Sequence, residues 1–326
     1  MNAFVVVVGC VAGSGCGTTP APSAGVLVMT DVAEPGTPID RASIFTVRGD
    51  GTEQRFLTGP GNQYPSWTPD GRIIFVSNRS GARQIWIMNA DGNDATQVGD
   101  ISALGAVEIT RVQMADTGLI AFKSSGDGIW LMRSDGSDLH ELVKFTQGAG
   151  DAPSLARSGT WLTFTAPAET TPGHNEIFRI NTDGSGLEQL TFFGEYADYP
   201  DGNASAISPD ETQIAIFTGT ESKPNDTPLT WAYRNIALIG VHGGARTLLT
   251  TCRPIASPEE LQSLTADDCL TSDNPSWSND GRWITYDRGS TVADGAGTFV
   301  IDARGNHRER LNANFSGGGS VPFHFD

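Results

Sequence analysis

A short turn sequence that ends in glycine returns six times along this chain of 326 residues. The copies lie about 40 to 60 residues apart, a spacing typical of repeats built from one supersecondary unit. Asp-Gly and Gly-Gly between extended runs favour type I′ hairpin turns, in which both central residues have positive φ. The chain is therefore predicted to be a series of β-hairpins. The glycines are Gly51, Gly92, Gly136, Gly184, Gly244 and Gly305.

A second repeated sequence precedes five of these turns and reads as strand, turn and strand. One full unit then has four short strands, named A to D here, in about 40 residues, which is the size and strand count of a propeller blade. The five copies are "PSWTPDGRIIFVS" from Pro65, "VQMADTGLIAFKS" from Val112, "PSLARSGTWLTFT" from Pro153, "SAISPDETQIAIFT" from Ser205 and "PSWSNDGRWITYD" from Pro275.

The second unit resembles the repeat of the TolB-like propellers, "PxWSPDG…I.F.S.R.G…I..M..DG…LT". The resemblance extends from Gly25 to the end of the chain and implies a β-propeller. No stretch of this sequence resembles the helical domain that precedes the propeller in TolB itself, so a role in the Tol system is not implied. The matching residues are Pro65, Trp67, Pro69, Asp70, Gly71, Phe75, Ser77, Arg79, Gly81, Ile85, Met88, Asp91 and Gly92.

The last residues of the chain match the one strand that the first repeat unit lacks. The first unit, from Gly25, supplies strands B, C and D but no strand A. The last residues, "SVPFHFD", match the A-strand pattern, with His324 at the position of the tryptophan. We therefore predict one all-β domain over residues 25–326. It is a six-bladed β-propeller of four-stranded antiparallel blades, and the C-terminal strand closes the ring and leaves no exposed terminal edge.

The first 24 residues have a different character. "AFVVVVGCVAGSGCG" has the apolar length of a secretory signal, whereas a spanning helix needs roughly 20 apolar residues. No Lys or Arg precedes the apolar run, so the start is atypical for a signal. The segment resembles a bacterial lipoprotein signal, which implies acylation of Cys16, before the tether-like "GTTPAPSAG", or of Cys10. An ordinary cleaved signal is the alternative. We predict that residues 1–24 are signal and tether, and that the protein is exported to the periplasm or cell surface.

The other two cysteines, Cys252 and Cys269, bracket one long polar segment. In an exported protein, this arrangement predicts a disulfide. A metal site would need more ligands at closer spacing.

Charge limits the classes of partner. The formal net charge is −17, which argues against nucleic acid, because phosphate binding needs a basic surface. It argues equally against a polybasic membrane patch, so we expect membrane contact only through an N-terminal lipid anchor. We expect a monomer.

Catalytic motifs are missing from the sequence. No Ser has Gly at both −2 and +2, so the nucleophile elbow of hydrolases is absent. The five histidines are spread over different strands and turns, too few at one place for a His-bound metal. We therefore expect a protein that is not an enzyme and has no cofactor and no metal. The alternative is a propeller enzyme, of the saccharide lyase or hydrolase type, with its site in the central channel.

Four inserts distinguish the later blades. The strands are expected to keep their length, so the added residues are predicted to be loops: Ala166 to Asn175, Gly219 to Tyr233, Thr251 to Asp273 and Asp287 to Gly297. All are B–C or D–A connections, which emerge on one face of a propeller, and one-sided insertions mark a binding face. We predict that blades 4 to 6 bind an envelope protein or a glycan there. The candidate residues are Trp231, Tyr233, Arg234, Arg253, Arg79 and Arg288.

Overall fold

The computed structural model describes eleven parts of the chain. They are residues 26–31, 42–48, 52–105, 109–124, 128–145, 151–169, 171–192, 205–218, 234–252, 271–289 and 297–310.

Short antiparallel strands dominate these residues and form six sheets in chain order, each consisting of strands that follow one another in sequence. The first sheet has β1 (Val26–Asp31), β2 (Ser43–Arg48) and β3 (Arg55–Phe56); the second has β4 (Asn62–Trp67), β5 (Ile73–Ser77), β6 (Gln84–Met88) and β7 (Thr96–Gln97); the third has β8 (Ile109–Met114), β9 (Leu119–Ser124), β10 (Gly128–Arg133) and β11 (His140–Lys144). The fourth has β12 (Asp151–Leu155), β13 (Trp161–Ala168), β14 (Thr171–Asn181) and β15 (Glu188–Gln189); the fifth has β16 (Ser205–Ile207), β17 (Gln213–Thr218), β18 (Asn235–Gly240) and β19 (Gly243–Leu248); the sixth has β20 (Thr271–Trp277), β21 (Trp283–Gly289), β22 (Gly297–Asp302) and β23 (Glu309–Arg310).

The prediction of an all-β propeller with four-stranded antiparallel blades is confirmed, but the predicted number of complete blades is wrong for the described residues. Five sheets have four strands, not six, and the first sheet has three. The residues proposed to complete it, Gly318 to Asp326, lie outside the described residues. Within the described residues, the first sheet begins with β1, which corresponds to the B strand of the other blades.

A threonine at the end of the D strand explains why Leu-Thr recurs. The Thr58, Thr191 and Thr250 hydroxyls accept hydrogen bonds from the backbone N–H groups of Ile44, Ile177 and Ile236, at 2.8 to 2.9 Å. Ile44 and Ile236 are the second residues of their C strands, and Ile177 lies in the middle of the longer β14. The threonine thus fixes the point at which the chain leaves one blade for the next.

The Asp-Gly turns between strands C and D differ from the predicted type I′. In the second blade, the Gly92 N–H donates to the Asn89 carbonyl, and positive φ falls on Gly92 and Asp94. Because Ala90 and Asp91 keep negative φ, the turn is a type I turn followed by a left-handed glycine. The Asp91 carboxylate accepts the Asn93 N–H at 3.0 Å, which accounts for aspartate at this position.

The insert in the fourth blade is not the predicted loop. Ala166 pairs with Glu176 and Pro167 with Asn175, so β13 and β14 run on into a longer hairpin. Here the added residues satisfy their backbone groups across the ladder rather than in a loop. Of the other inserts, residues 219–233, 253–270 and 290–296 lie outside the described residues.

The core lies between neighbouring blades. Each of its hydrophobic clusters joins the facing sides of two consecutive sheets, for example Ile74 and Val76 of the second with Ile120 and Phe122 of the third. Val300 of the sixth sheet belongs to the cluster formed by the first two sheets. Three strand tryptophans, Trp67, Trp161 and Trp277, are buried and belong to clusters that join neighbouring blades.

Polar contacts also join the blades. The Glu211 carboxylate, in the A–B turn of the fifth blade, accepts three hydrogen bonds from the fourth. The donors are the Ser158 N–H at 2.6 Å, the Ser158 hydroxyl at 3.0 Å and the Trp161 indole N–H at 2.8 Å.

Replacing Glu211 by alanine is expected to lower the free energy of unfolding by about 2 kcal/mol, since it leaves partly buried donors without an acceptor. Glu211 has a φ of 57°, in the left-handed region. Alanine has the same conformational strain at this φ as glutamate, so the change in the free energy of unfolding reports the lost hydrogen bonds. Glu211→Gln is the control and should cost less, because an amide oxygen still accepts. Urea unfolding measures both variants. Equal stabilities for Glu211→Ala and the wild type would contradict this role.

Candidate binding site

The inner strands of five blades converge on a small cavity of about 100 Å³ at the A–B turns. We call this cavity the mouth. The end of the molecule that carries the mouth is called the turn end. The opposite end, which carries the B–C and D–A connections, is called the loop end. The lining alternates apolar and polar side chains. It consists of Ser66, Trp67, Thr68, Pro69, Gln113, Met114, Asp116, Ser154, Leu155, Arg157, Ala206, Ile207, Ser208, Pro209, Trp277 and Asn279.

The hydroxyl groups at the mouth are held by the turns that carry them. The Ser208 hydroxyl donates to Asp210 at 2.7 Å and accepts the backbone N–H of Gln213 at 2.9 Å. The Ser278 hydroxyl repeats this arrangement with Asp280 at 2.6 Å and the backbone N–H of Trp283 at 2.9 Å. The hydrogen bond from Ser208 lowers the pKa of the Asp210 carboxyl below its ordinary value. The Asp210 carboxylate therefore stays charged at neutral pH and serves the turn.

One ion pair crosses the mouth from the third blade to the fourth. The Arg157 Nε lies 3.1 and 3.2 Å from the two Asp116 carboxylate oxygens. The Asp116 backbone N–H also donates to the Arg157 carbonyl at 2.9 Å. Asp116 is the one carboxylate among the described residues that line the mouth.

The polar groups in the described lining of the mouth are hydroxyls, amides, one carboxylate and one guanidinium. Its described lining contains no histidine or cysteine, and the carboxylates beside its Thr68 and Ser208 hydroxyls, Asp70 and Asp210, belong to the same turns as those hydroxyls. Within the described residues, no group of three or more His, Cys, Asp or Glu side chains is placed to hold a metal ion. Tyr286 is a buried titratable group in the sixth blade, but burial raises its pKa to about 12, so its phenol stays neutral at physiological pH.

At the loop end, three of the candidate arginines lie over aromatic rings of their own blade. The Arg79 guanidinium lies 5.1 Å from the Phe75 ring centroid and 4.8 Å from that of Trp86. It also donates to the Ser77 hydroxyl at 3.0 Å and to the Asn62 side-chain oxygen at 2.9 Å.

The other two arginines make similar contacts. Arg234 lies 5.6 Å from the Phe217 ring centroid, and Arg288 lies 5.0 Å from that of Phe299. Arg288 is only 4% exposed. The three guanidinium groups are thus positioned over rings of the scaffold, with Arg79 exposed, Arg234 half-buried and Arg288 buried.

The remaining candidate residues, Trp231, Tyr233, Arg253 and Cys16, lie outside the described residues, and so does Cys269. Cys252 is buried, and its sulfur lies 3.1 Å from the Ser272 hydroxyl.

The sequence pattern did not indicate a site at the mouth, because the long inserts pointed to the loop end. The recurrent Ser-Trp-Thr and Ser-Trp-Ser at the ends of the A strands was the available signal for it.

Comparison by sequence gives no match, neither to a protein-family model nor to a curated protein. Comparison by structure finds solved propellers. "TolB from Acinetobacter baumannii" is 17% identical with a TM-score of 0.65, and the match covers 94% of this chain and 67% of that one. "Putative TolB from Agrobacterium tumefaciens" is 14% identical with a TM-score of 0.59, covering 88% and 98%. A puromycin hydrolase is 15% identical with a TM-score of 0.53, covering 94% and 46%. At these identities the likeness establishes the TolB-like propeller fold.

Proposed function

We propose that this chain is an exported, non-catalytic binding or scaffolding propeller of the bacterial cell envelope. The observation that carries the proposal is the chemistry of the mouth. Its single described carboxylate is paired with Arg157, and the Thr68 and Ser208 hydroxyls are engaged in their own turns. A binding function needs only shape and positioned polar groups, whereas catalysis needs an acid, base or nucleophile in place.

The envelope location rests on two independent supports. The first is the signal-like character of residues 1–24, with Cys16 or Cys10 as the proposed acylation site. The second is the structural likeness to two proteins titled TolB. No helix within the described residues is long and apolar enough to cross a membrane. Fractionation of cells that express the chain, with Cys16→Ser and Cys10→Ser compared for loss of membrane association, tests the anchor.

The alternative is an enzyme with its site in the central channel. Among the similar structures, one is titled a gluconolactonase, with 14% identity and a TM-score of 0.50. The puromycin hydrolase chain is more than twice as long as the part matched here, because the match covers 46% of it. The pairing of Asp116 with Arg157 and the absence of histidine and cysteine from the described lining of the mouth favour the binding function over this alternative.

For the partner, we propose an envelope protein or a glycan that contacts the loop end of blades 4 to 6. Trp231, Tyr233, Arg234 and Arg253 are the proposed centre, with Arg79 and Arg288 at the same end. Tryptophan, tyrosine and arginine are enriched in binding hot spots. The stacking of Arg234 on Phe217 supports this proposal, since a guanidinium that is already ordered loses less entropy on binding.

Replacing Trp231 by alanine is expected to weaken capture of the partner from an envelope extract by about 2 kcal/mol or more, on the order of thirtyfold, with folding intact. Capture and thermal unfolding are measured on one preparation. Lower stability with unchanged capture by the folded fraction would assign Trp231 to packing within its own loop.

His242→Ala is the matched control at the turn end. The His242 ring is exposed and lies 2.9 Å from the Glu188 carboxylate, a surface contact whose loss should change stability little. Capture by this variant should equal that of the wild type.

A further inference from the structure

One exposed arginine at the loop end is held in place by neutral groups alone among the described residues. The Arg79 guanidinium donates from Nε to the Ser77 hydroxyl at 3.0 Å and from Nη2 to the Asn62 side-chain oxygen at 2.9 Å. Ser77 and Asn62 are buried, and they lie on the neighbouring strands β5 and β4. The guanidinium is therefore fixed to two strands, while neither acceptor offsets its positive charge.

Arginines at the turn end have a different environment. Arg72 pairs with Asp70 at 2.8 Å, and Arg157 pairs with Asp116 at 3.1 Å. Arg79 has no such carboxylate among the described residues, and burial lowers the pKa of its guanidinium, whereas a nearby carboxylate would raise that pKa. The group still stays charged, because an arginine side chain keeps its proton in proteins. Arg79 is thus a partly desolvated cation without a counter-ion in the described part of the chain.

The contacts of Arg79 leave one edge of the guanidinium open. Its central carbon lies 4.8 Å from the Trp86 ring centroid and 5.1 Å from that of Phe75, so the rings cover a flat face. Ser77 and Asn62 take one hydrogen each from Nε and Nη2, which is the side edge. A guanidinium has five N–H donors, so both hydrogens of Nη1 and one of Nη2 remain. These form the end edge, which matches the two oxygens of a carboxylate.

We propose that Arg79 is the anchor of a carboxylate-binding site at the loop end of the second blade, and that an acidic side chain of a partner protein occupies it. This inference rests on the proposed function and deepens it, because it names the chemical group that one part of the loop end binds. The end edge of the guanidinium donates to both carboxylate oxygens. Since the scaffold already orders this side chain, little conformational entropy is lost on binding.

Charge favours a ligand with one carboxylate over a polyanion. The turn that carries Arg79, residues 78–83, has two arginines and no acidic residue, so its local charge is positive. The whole chain has a formal net charge of −17, which repels a polyanion as it approaches. A single carboxylate gains the pairing with Arg79 and adds little to that repulsion. An acidic side chain of a protein meets this condition, whereas a polyuronate, with a carboxylate on every sugar, does not.

Titration of the purified full chain with N-acetyl-aspartate N-methylamide tests the proposal. With ¹⁵N-labelled arginine, the Arg79 Nε signal is assigned by its loss in Arg79→Lys. We expect a saturable shift of this signal with half-saturation at roughly 10 to 100 mM, the range of one charge-assisted contact. The neutral control is N-acetyl-asparagine N-methylamide at the same ionic strength, which should bind at least tenfold more weakly.

Two variants and a matched control locate the contact. The Trp86 indole signal, assigned by Trp86→Phe, reports the stacked guanidinium in each of them. Arg79→Gln should abolish the shift caused by the aspartate compound, and Arg79→Lys should weaken it at least fivefold, because lysine keeps the charge but lacks the planar fork. Arg133→Gln removes one positive charge at the turn end, where Arg133 pairs with Asp138, and should keep half-saturation within twofold of the wild type. Thermal unfolding verifies that each variant is folded.

Three results would overturn the proposal. They are an Arg79 signal that stays unshifted or responds equally to the two compounds, unchanged binding in Arg79→Gln, and binding of polygalacturonate at least tenfold tighter per carboxylate, which would assign the site to an acidic glycan. The wild-type signal decides the first of these without any variant. Probe binding is also independent of partner capture: a silent Arg79 signal with Trp231-dependent capture refutes this site alone, and a shifted signal without such capture refutes only the proposed centre at Trp231.

Discussion

Replacing Trp277 by alanine is expected to lower the free energy of unfolding by about 3 to 5 kcal/mol, the usual cost of removing a buried tryptophan. The side chain is 3% exposed and packs in the cluster that joins the fifth and sixth blades, with Ile284, Tyr286 and Leu238. The change leaves a cavity between two blades. It also removes the donor to the Ala206 carbonyl. Urea unfolding monitored by far-UV circular dichroism measures the loss.

Trp277→Phe separates the two contributions. Phenylalanine keeps most of the apolar contact but has no N–H, so a loss of about 1 to 2 kcal/mol is expected. A loss from Trp277→Ala no larger than that from Trp277→Phe would show that packing between the blades contributes little. Such a result would contradict the placement of the core between blades.

Cys269→Ser is expected to lower the free energy of unfolding by roughly 3 kcal/mol, the loop-entropy contribution of a disulfide that closes about 17 residues. The described geometry supports the predicted pairing with Cys252. The Asn235 side-chain oxygen accepts the Cys252 N–H at 2.6 Å, and the Cys252 sulfur lies 3.1 Å from the Ser272 hydroxyl. Ser272 follows Cys269 by three residues, so the described ends of the insert, Cys252 and Ser272, lie in contact.

Reduction provides the matched control for this prediction. Dithiothreitol should lower the stability of the wild type to that of Cys269→Ser and should leave the variant unchanged. Alkylation and mass spectrometry without reductant should find no free thiol at Cys252 or Cys269 in the exported protein. Free thiols at both positions would refute the disulfide.

Local sequence was sufficient to predict the strands and their grouping into blades. Alternating apolar residues, Asp-Gly turns and the recurrent Leu-Thr depend on contacts within one blade, such as that between Thr250 and Ile236. These contacts join residues close in sequence, so each repeat carries its own signal. The turn type was predicted wrongly because an Asp-Gly pair also suits a type I turn with a left-handed glycine, as at Gly92.

The sequence by itself determined the propeller repeat and its short antiparallel strands. It did not determine the hydrogen-bond partners of Trp67 and Trp277, which stand in nearly the same sequence. Only the tertiary structure distinguishes them, because the acceptor of Trp277 is Ala206, 71 residues away on another blade. The same reason holds for Asp116 with Arg157 and for Glu211 with Trp161, whose pairing depends on how neighbouring blades pack. A repeat specifies one blade, and the contacts between blades exist only once the chain has folded.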